Sequence, residues 1–444
     1  MKQFRTYSNP WVVTFPILFL FLINIWIFGK NVPVSDGIRY WKTASDILDG
    51  FRTTRVLESF LLLNGPLYPL ILAFFKLIGF SVKASIFLNA IFLYVGFTYF
   101  LKSVNQFLSL KKSIWITYIL VLIDPFLFYW GAKLYSEPLA ILLVCLLIYL
   151  TTQYFLSQSI KLFLQIAIVF SLLALTRVIF AYVLLVFIPV GFLGHLIFKQ
   201  KVFKTLGKLG AYSLLFCLPY LAFTYGVTGK LFYWSSNGGL LLYWTSSPYK
   251  TDMGEWHTMQ INHDHFAARY NKFSGLDSLY LRKVNDIIIS EINDNHREFN
   301  NSLSKSKNII EYDDALKAKA FENIKNYPSS FITNWILNTG RLLVGIPHAI
   351  YHKPPFSPFF TLLNTVKSSF VLFLFLTAIV LFFRNFSVFN YHTIWMLLLL
   401  MIYLGGQSIL AVQSQRFLLP IYPLIVMFSS ISILKNLQFK KEKF

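Results

Sequence analysis

The chain is divided by apolar runs that no soluble fold could absorb. A helix needs about 17 to 25 apolar residues to cross the hydrocarbon of a bilayer, and runs of that length recur from Trp11 to Leu434 with short basic connectors between them. Lipid offers no water to backbone N–H and C=O groups, so a run placed there satisfies them within a helix. The expected fold is an all-α polytopic membrane protein with about 10 transmembrane helices, within a range of 9 to 12. Composition agrees: the sequence is 56% hydrophobic and 13% charged, with a mean hydropathy of +0.58.

Direction follows from the basic connectors, which stay on the cytoplasmic side. The crossings expected are residues 11–29, 84–101, 114–130, 134–155, 162–175, 179–198, 209–227, 366–383, 393–412 and 417–434, with both termini inside. Two further segments are expected as juxtamembrane helices. One starts at Gly65 and is too short to cross; the other, 331–346, is interrupted by Asn and carries Arg341. Lys199, Lys201, Lys204 and Lys208 read as a basic loop. Three regions follow: an N-terminal transmembrane module, 1–227, containing a first outer loop at 30–65; a mostly helical extracytoplasmic loop, 228–330; and a C-terminal module, 331–444. The N-terminus reads as an uncleaved signal anchor, being basic and followed by an apolar run without a small-residue cleavage site. The expected location is a bacterial inner membrane.

The net charge of +21 invites a nucleic-acid reading, which its distribution removes. Residues 230–325 hold 12 Lys/Arg and 12 Asp/Glu, leaving 28 basic and 7 acidic residues for the rest. A basic excess in short connectors is an insertion signal, so no nucleic-acid partner is expected. Cys145 and Cys217 lie in apolar runs without ligand spacing, which argues against a disulfide framework or a thiolate metal site.

The informative polar residues are the few that the membrane part retains. An ionisable group inside a span costs at least ~2.5–3.5 kcal/mol and tends to line a cavity. Asp36, Arg39, Asp124, Glu137, Arg177 and Arg416 all fall at the expected outer boundary. In SDGIRYWKTASDILDG, residues 35–50, Asp36, Arg39 and Tyr40 share a helix face. Asp36 is either a helix cap or a general base kept ionised by Arg39. Glu137, in LYSEPLA, is either a charge at a helix end or part of a site, and Arg177 and Arg416 either snorkel or bind an anion. Two arginines beside carboxylates on one face suit a headgroup-sized anion such as a lipid phosphate.

The large loop holds His257, His263 and His265 with Asp264. An HxH pair is compatible with a divalent metal, but no third ligand accompanies it, so a solvated face is the better reading and no cofactor is expected. Trp234, Trp244 and Trp256 suit either sugar stacking or interfacial anchoring.

These residues resemble a family. DGIRYWKTA, from Asp36, is similar to the first outer loop of the GT-C superfamily of polyprenyl-phosphate-sugar glycosyltransferases, in particular the protein O-mannosyltransferases and the lipid A aminoarabinose transferases. NGPLYPLILAFFKLIG resembles the Pro-Pro-Leu-Tyr helix after that loop. YSEPLA, GLLLYWTSSP, a helix ending in IKNYP, and QRFLLPIYPL resemble later landmarks. The resemblance implies an inverting enzyme on the extracytoplasmic face that moves a sugar from a lipid-phosphate donor to a protein, lipid or glycan acceptor. Asp36 would be its general base. Arg39 and Arg416 would hold the donor phosphate, with Tyr40, Tyr68, Glu137 and Arg177 completing the substrate site. Many relatives carry Asp-Glu where this chain has Asp36-Gly37, so the second acid has no counterpart at that position. Two other readings stay open: a lipid-linked sugar flippase or transporter, which would favour mid-membrane charges and broken repeats, and a polysaccharide polymerase or ligase, whose outer loop would be basic.

Overall fold

The computed structural model describes residues 9–34, 36–50, 64–248, 254, 302–344, 358–384, 391–410 and 415–443. Regular structure among these residues is entirely helical. In chain order the elements are α1 (Pro10–Phe28), α2 (Asp36–Gly50), α3 (Leu67–Leu77), α4 (Val82–Val104), α5 (Leu110–Leu122), α6 (Pro125–Gly131), α7 (Glu137–Ser157), α8 (Ile160–Thr176), α9 (Ile179–Phe198), α10 (Lys201–Thr228), α11 (Gly238–Thr245), α12 (Ser302–Asn326), α13 (Pro328–Val344), α14 (Pro358–Arg384) and α15 (Tyr391–Ile409). A 3₁₀ turn, Gln415–Ile421, then leads into α16 (Tyr422–Lys443).

Eight of the described helices are long and apolar enough to cross a membrane: α1, α4, α7, α9, α10, α14, α15 and α16 with its preceding turn. The chain is therefore an integral membrane protein, and among the described residues eight helices, or nine with one bent pair, meet the length of a span, against about ten expected within a range of 9 to 12. Residues 114–130 are not one straight crossing. They are divided between α5 and α6, which meet at 65° and together would make a ninth span. Pro125 has no N–H to continue α5 and its ring excludes the preceding helical turn, while Asp124 accepts the Phe126 N–H at 3.0 Å and caps a new helix. Residues 162–175 fall in α8, an apolar helix of 17 residues, shorter than the eight. The expected basic loop at 199–208 is also corrected: α10 begins at Lys201 and runs for 28 residues, because lysine is a good helix former.

α7 lies in the middle of the bundle, packed against α4 and α8 and touching α15 and α16. Its apolar residues are buried on nearly every side, among them Ala140, Cys145, Leu147 and Ile148. α1 is peripheral. It buries Ile17, Phe21 and Ile25, at four-residue spacing, and leaves Phe15, Phe19, Ile23 and Trp26 facing outward. Between helices, hydrogen bonds supplement packing, as expected where lipid tails compete equally for apolar surface. Thr14 meets Thr98 at 2.6 Å. Asn89 of α4 donates to the carbonyls of Gly131 at 3.1 Å and Lys133 at 2.6 Å. That bond pins the connector between α6 and α7, immediately before Glu137.

The described parts of the large loop are held together, and to α13, by buried polar bonds, and α13 is tied to the bundle. Asp313 of α12 accepts the Gly239 N–H at 2.6 Å, and Asn334 of α13 donates to the carbonyls of Thr245 at 3.0 Å and Ser247 at 2.9 Å. Trp335 donates to the Gly405 carbonyl of α15 at 2.9 Å. Trp234 and Trp244 are buried, so neither presents an open face for sugar stacking, the role one reading of the sequence gave them. Trp256, His257, His263, Asp264 and His265 lie outside the described residues.

Candidate functional site

Four chain-distant segments meet at one end of the bundle: the start of α2, the start of α7, the end of α8 and the 3₁₀ turn before α16. α2 is amphipathic, with Tyr40, Ala44 and Ile47 buried at helical spacing. Asp36 occupies its first turn and Glu137 the first turn of α7, where the helix dipole favours a carboxylate. Arg177 ends α8 in an extended conformation, beside carbonyls that favour a cation. Arg416 comes from the 3₁₀ turn.

These side chains form a chain of alternating charge. Arg416 Nη1 donates to Asp36 Oδ2 at 2.5 Å, and Arg416 Nε donates to Glu137 Oε1. Arg177 Nη1 donates to the same Glu137 oxygen at 2.8 Å. Arg39, one turn on from Asp36, stands 4.0 Å from Asp36 Oδ1. Exposure rises along the chain: Glu137 is 1%, Arg177 9%, Arg416 11%, Asp36 30% and Arg39 39% exposed. One end is thus locked in protein and the other is open to a ligand. Three arginines face two carboxylates, which leaves a positive balance for an anion.

Aromatic residues seat the arginines. The Arg416 guanidinium stands 4.3 Å from the ring centre of Tyr135 and 5.2 Å from that of Trp130. Phe417 lies near both arginines, 5.2 Å from Arg177 and 5.8 Å from Arg416. Beneath Asp36, the Tyr40 hydroxyl pairs with Ser136 Oγ at 3.1 Å, and its ring meets Tyr68 edge-on at 5.1 Å. Both tyrosines are buried. Burial, reinforced by the charge of Glu137, pushes the Tyr40 phenol above its ordinary value, so it stays protonated.

Burial alone would raise the Asp36 carboxyl, but Arg416 and Arg39 outweigh it and hold the group below the usual carboxylate range. Asp36 is therefore a carboxylate at neutral pH. Gly37, which follows it, lies at a close approach. A Cβ there would lie 3.0 Å from the Leu134 carbonyl oxygen and 3.3 Å from its Cβ, so a larger residue would require the α7 connector or α2 to give by a few tenths of an ångström. The second carboxylate of the cluster is that of Glu137. Gly65 plays a similar part for α3: a Cβ would collide with the Leu175 carbonyl oxygen, and this close approach brings Tyr68 under Tyr40.

Asp36, Arg39, Tyr40, Tyr68, Glu137, Arg177 and Arg416 thus lie together in one cluster. Asp124, which the sequence placed at the same boundary, does not join it and pairs with Lys367 at 3.2 Å. The sequence reading missed Trp130, Tyr135, Ser136 and Phe417, whose signal was adjacency to Glu137 and Arg416. It also missed Lys367, an ionisable residue in an apolar run. Among the described residues no three His, Cys, Asp or Glu side chains gather as a metal cage, and Asp36 and Glu137 are both engaged by Arg416. No protein-family model matches this chain, and neither does any curated protein.

Proposed function

We propose that the protein is an integral membrane glycosyltransferase of GT-C type, moving a sugar from a polyprenyl-phosphate donor to an acceptor hydroxyl on the extracytoplasmic face of a bacterial inner membrane. The observation that carries this reading is Asp36, a half-open carboxylate kept ionised by Arg416, at the head of a helix between membrane spans. A base for a lipid-borne substrate belongs at such a boundary. Both termini are cytoplasmic in this reading, which leaves Lys102, Lys111, Lys112 and Arg384 inside.

The acceptor oxygen attacks the anomeric carbon and its proton passes to an Asp36 oxygen. The bond from that carbon to the donor phosphate breaks on the opposite side, and its electron pair leaves with the phosphate, so the centre inverts. A phosphate departs without needing a proton but needs its charge met, which Arg39 and Arg416 supply. Their guanidiniums match phosphate oxygens in geometry and charge. Asp36 is a weak base, suited to a late proton transfer in which the departing phosphate provides the driving force. Tyr40 and Tyr68 hold α2 in place from beneath, and Arg177 and Glu137 fix Arg416.

Mass spectrometry of envelope glycans and lipids from cells with and without the protein tests the reading and reports the acceptor class and sugar mass together. A glycan or lipid lacking one sugar in the deleted cells is expected. Identical profiles, in cells shown to make polyprenyl-phosphate sugars, would remove the assignment.

A further inference from the structure

Lys133, in the connector between α6 and α7, lies at the open end of the network and has no part in the chemistry above. Its backbone is fixed: the N–H donates to the Trp130 carbonyl at 3.2 Å, and the carbonyl accepts from Asn89 at 2.6 Å. The next residue, Leu134, carries the carbonyl that Gly37 of α2 approaches, one position from Asp36. The Lys133 ammonium stands 3.5 Å from the ring centre of Tyr129 and 4.8 Å from that of Trp130. Arg416 faces the same Trp130 ring at 5.2 Å, so the two cations are seated on one aromatic residue.

The arginines at this end are already engaged. Arg416 meets Asp36 and Glu137, Arg177 meets Glu137, and Arg39 stands beside Asp36. Among the described residues no carboxylate pairs with Lys133, whose partners are aromatic faces. Such faces hold an ammonium without cancelling its charge. Lys133 is half-buried and Lys30, at the end of α1, is exposed. Burial first, and then the charges of Arg416 and Lys30, draw the Lys133 pKa down to about 8. An anion seated there would relieve both costs, and the 30% and 39% exposure of Asp36 and Arg39 leaves this end open to one.

We propose that Lys133 is a donor-binding residue, its ammonium joining Arg416 at the lipid phosphate and meeting the charge that develops there as the bond to the sugar breaks. A sugar-phosphate diester arrives with one negative charge, and the polyprenyl phosphate leaves as a monoester carrying close to two at neutral pH. The electron pair of the broken bond stays on the phosphate oxygen, and Lys133 keeps its proton throughout. The identity of the anion rests on the glycosyl-transfer reading; the anion subsite at Lys133 does not.

Purified full-length protein can be titrated with polyprenyl phosphate and with the polyprenol of the same chain length, bound lipid being counted by native mass spectrometry. The unmodified protein should prefer the phosphate. Lys133→Met should cut that preference about tenfold, the worth of one hydrogen bond to a charged group, and Lys133→Arg should retain it. Between about pH 7 and 9 the preference should fall in the unmodified protein, as the ammonium gives up its proton, and hold level in Lys133→Arg, whose guanidinium stays charged. A preference unchanged in Lys133→Met would overturn the proposal. Displacement of the polyprenyl phosphate by an equal concentration of phosphatidylglycerol would make this a subsite for any anionic headgroup and overturn the donor assignment. No preference in the unmodified protein would overturn both this proposal and the donor class. A preference that depends on Lys133, in a protein that transfers no sugar, would leave the subsite standing and remove the glycosyl-transfer reading.

Discussion

Two buried ionic clusters in the described part of the helix bundle are built on opposite plans. The Asp36–Arg416–Glu137–Arg177 network alternates charge across four chain-distant segments and opens at Asp36 and Arg39. The Asp124–Lys367 pair is closed, with both partners almost fully covered. The first has a surplus of positive charge and an accessible end; the second is balanced and covered. Charges within protein are costly to strip of water, so each arrangement indicates where that cost is offset. In the network it is offset by neighbours, which frees Asp36 to meet a ligand. Among the described residues one carboxylate oxygen of each cluster, Asp124 Oδ2 in the pair and Glu137 Oε2 in the network, meets no partner.

Removing Arg416 should have the largest effect, because among the described residues it alone bridges both carboxylates. Arg416→Ala should cost about 3–5 kcal/mol of stability by taking a donor from the buried Glu137 and the nearer cation from Asp36. It should also weaken donor binding more than acceptor binding, and thermal unfolding with lipid-phosphate titration checks both. Unchanged donor affinity would take Arg416 out of the site.

The closed pair should show a different signature. Lys367→Met alone should destabilise by a similar amount, about 3–5 kcal/mol, and adding Asp124→Asn should restore much of it, since the double variant leaves no lone charge. A strictly additive double-mutant cycle would show that the two side chains do not depend on one another.

Restoring the second acid tests the close approach of α2. Gly37→Glu should cost about 1–3 kcal/mol through overpacking against Leu134, and transfer should fall. A gain in activity would mean that α2 can shift without loss.

The smallest expected effect concerns pH. A carboxyl depressed in the folded state contributes stability that is complete above its unfolded value and is lost only as pH falls through the lower folded one. Asp36 should therefore impose no slope on unfolding temperature between about pH 5 and 8. A slope in that window that disappears in Asp36→Asn would contradict the charge pattern at the open end.

Much of this was legible in the sequence because lipid imposes so simple a rule. Apolar runs with basic connectors gave the bundle, and the same rule brought Asp36, Glu137, Arg177 and Arg416 to one end of it. The break at Asp124–Pro125 was written in those two residues, but the surrounding run is apolar enough to hide it. Pairings were harder. Asp124 and Arg416 share a boundary, yet topology assigns a residue only to an end of the bundle, and the 65° turn into α6 carries Asp124 to Lys367 instead. The loop tryptophans were ambiguous for another reason. Trp suits both an interface and a core, and what covers them is not local sequence: the helix carrying Trp244 packs on α12, distant in the chain, and Trp234 meets Tyr220 of α10.

The central claim is that Asp36 is a base and not merely the outer partner of Arg416. Asp36→Asn keeps the shape and a hydrogen-bonding oxygen for Arg416 but removes the base. Transfer from a radiolabelled polyprenyl-phosphate sugar by the purified variant, with its unfolding temperature measured alongside, separates the two roles. The expected result is a loss of at least ~10²–10⁴-fold in rate, the range for a lost general base, with a small change in unfolding temperature. Transfer at the unmodified rate by the folded variant would contradict the assignment.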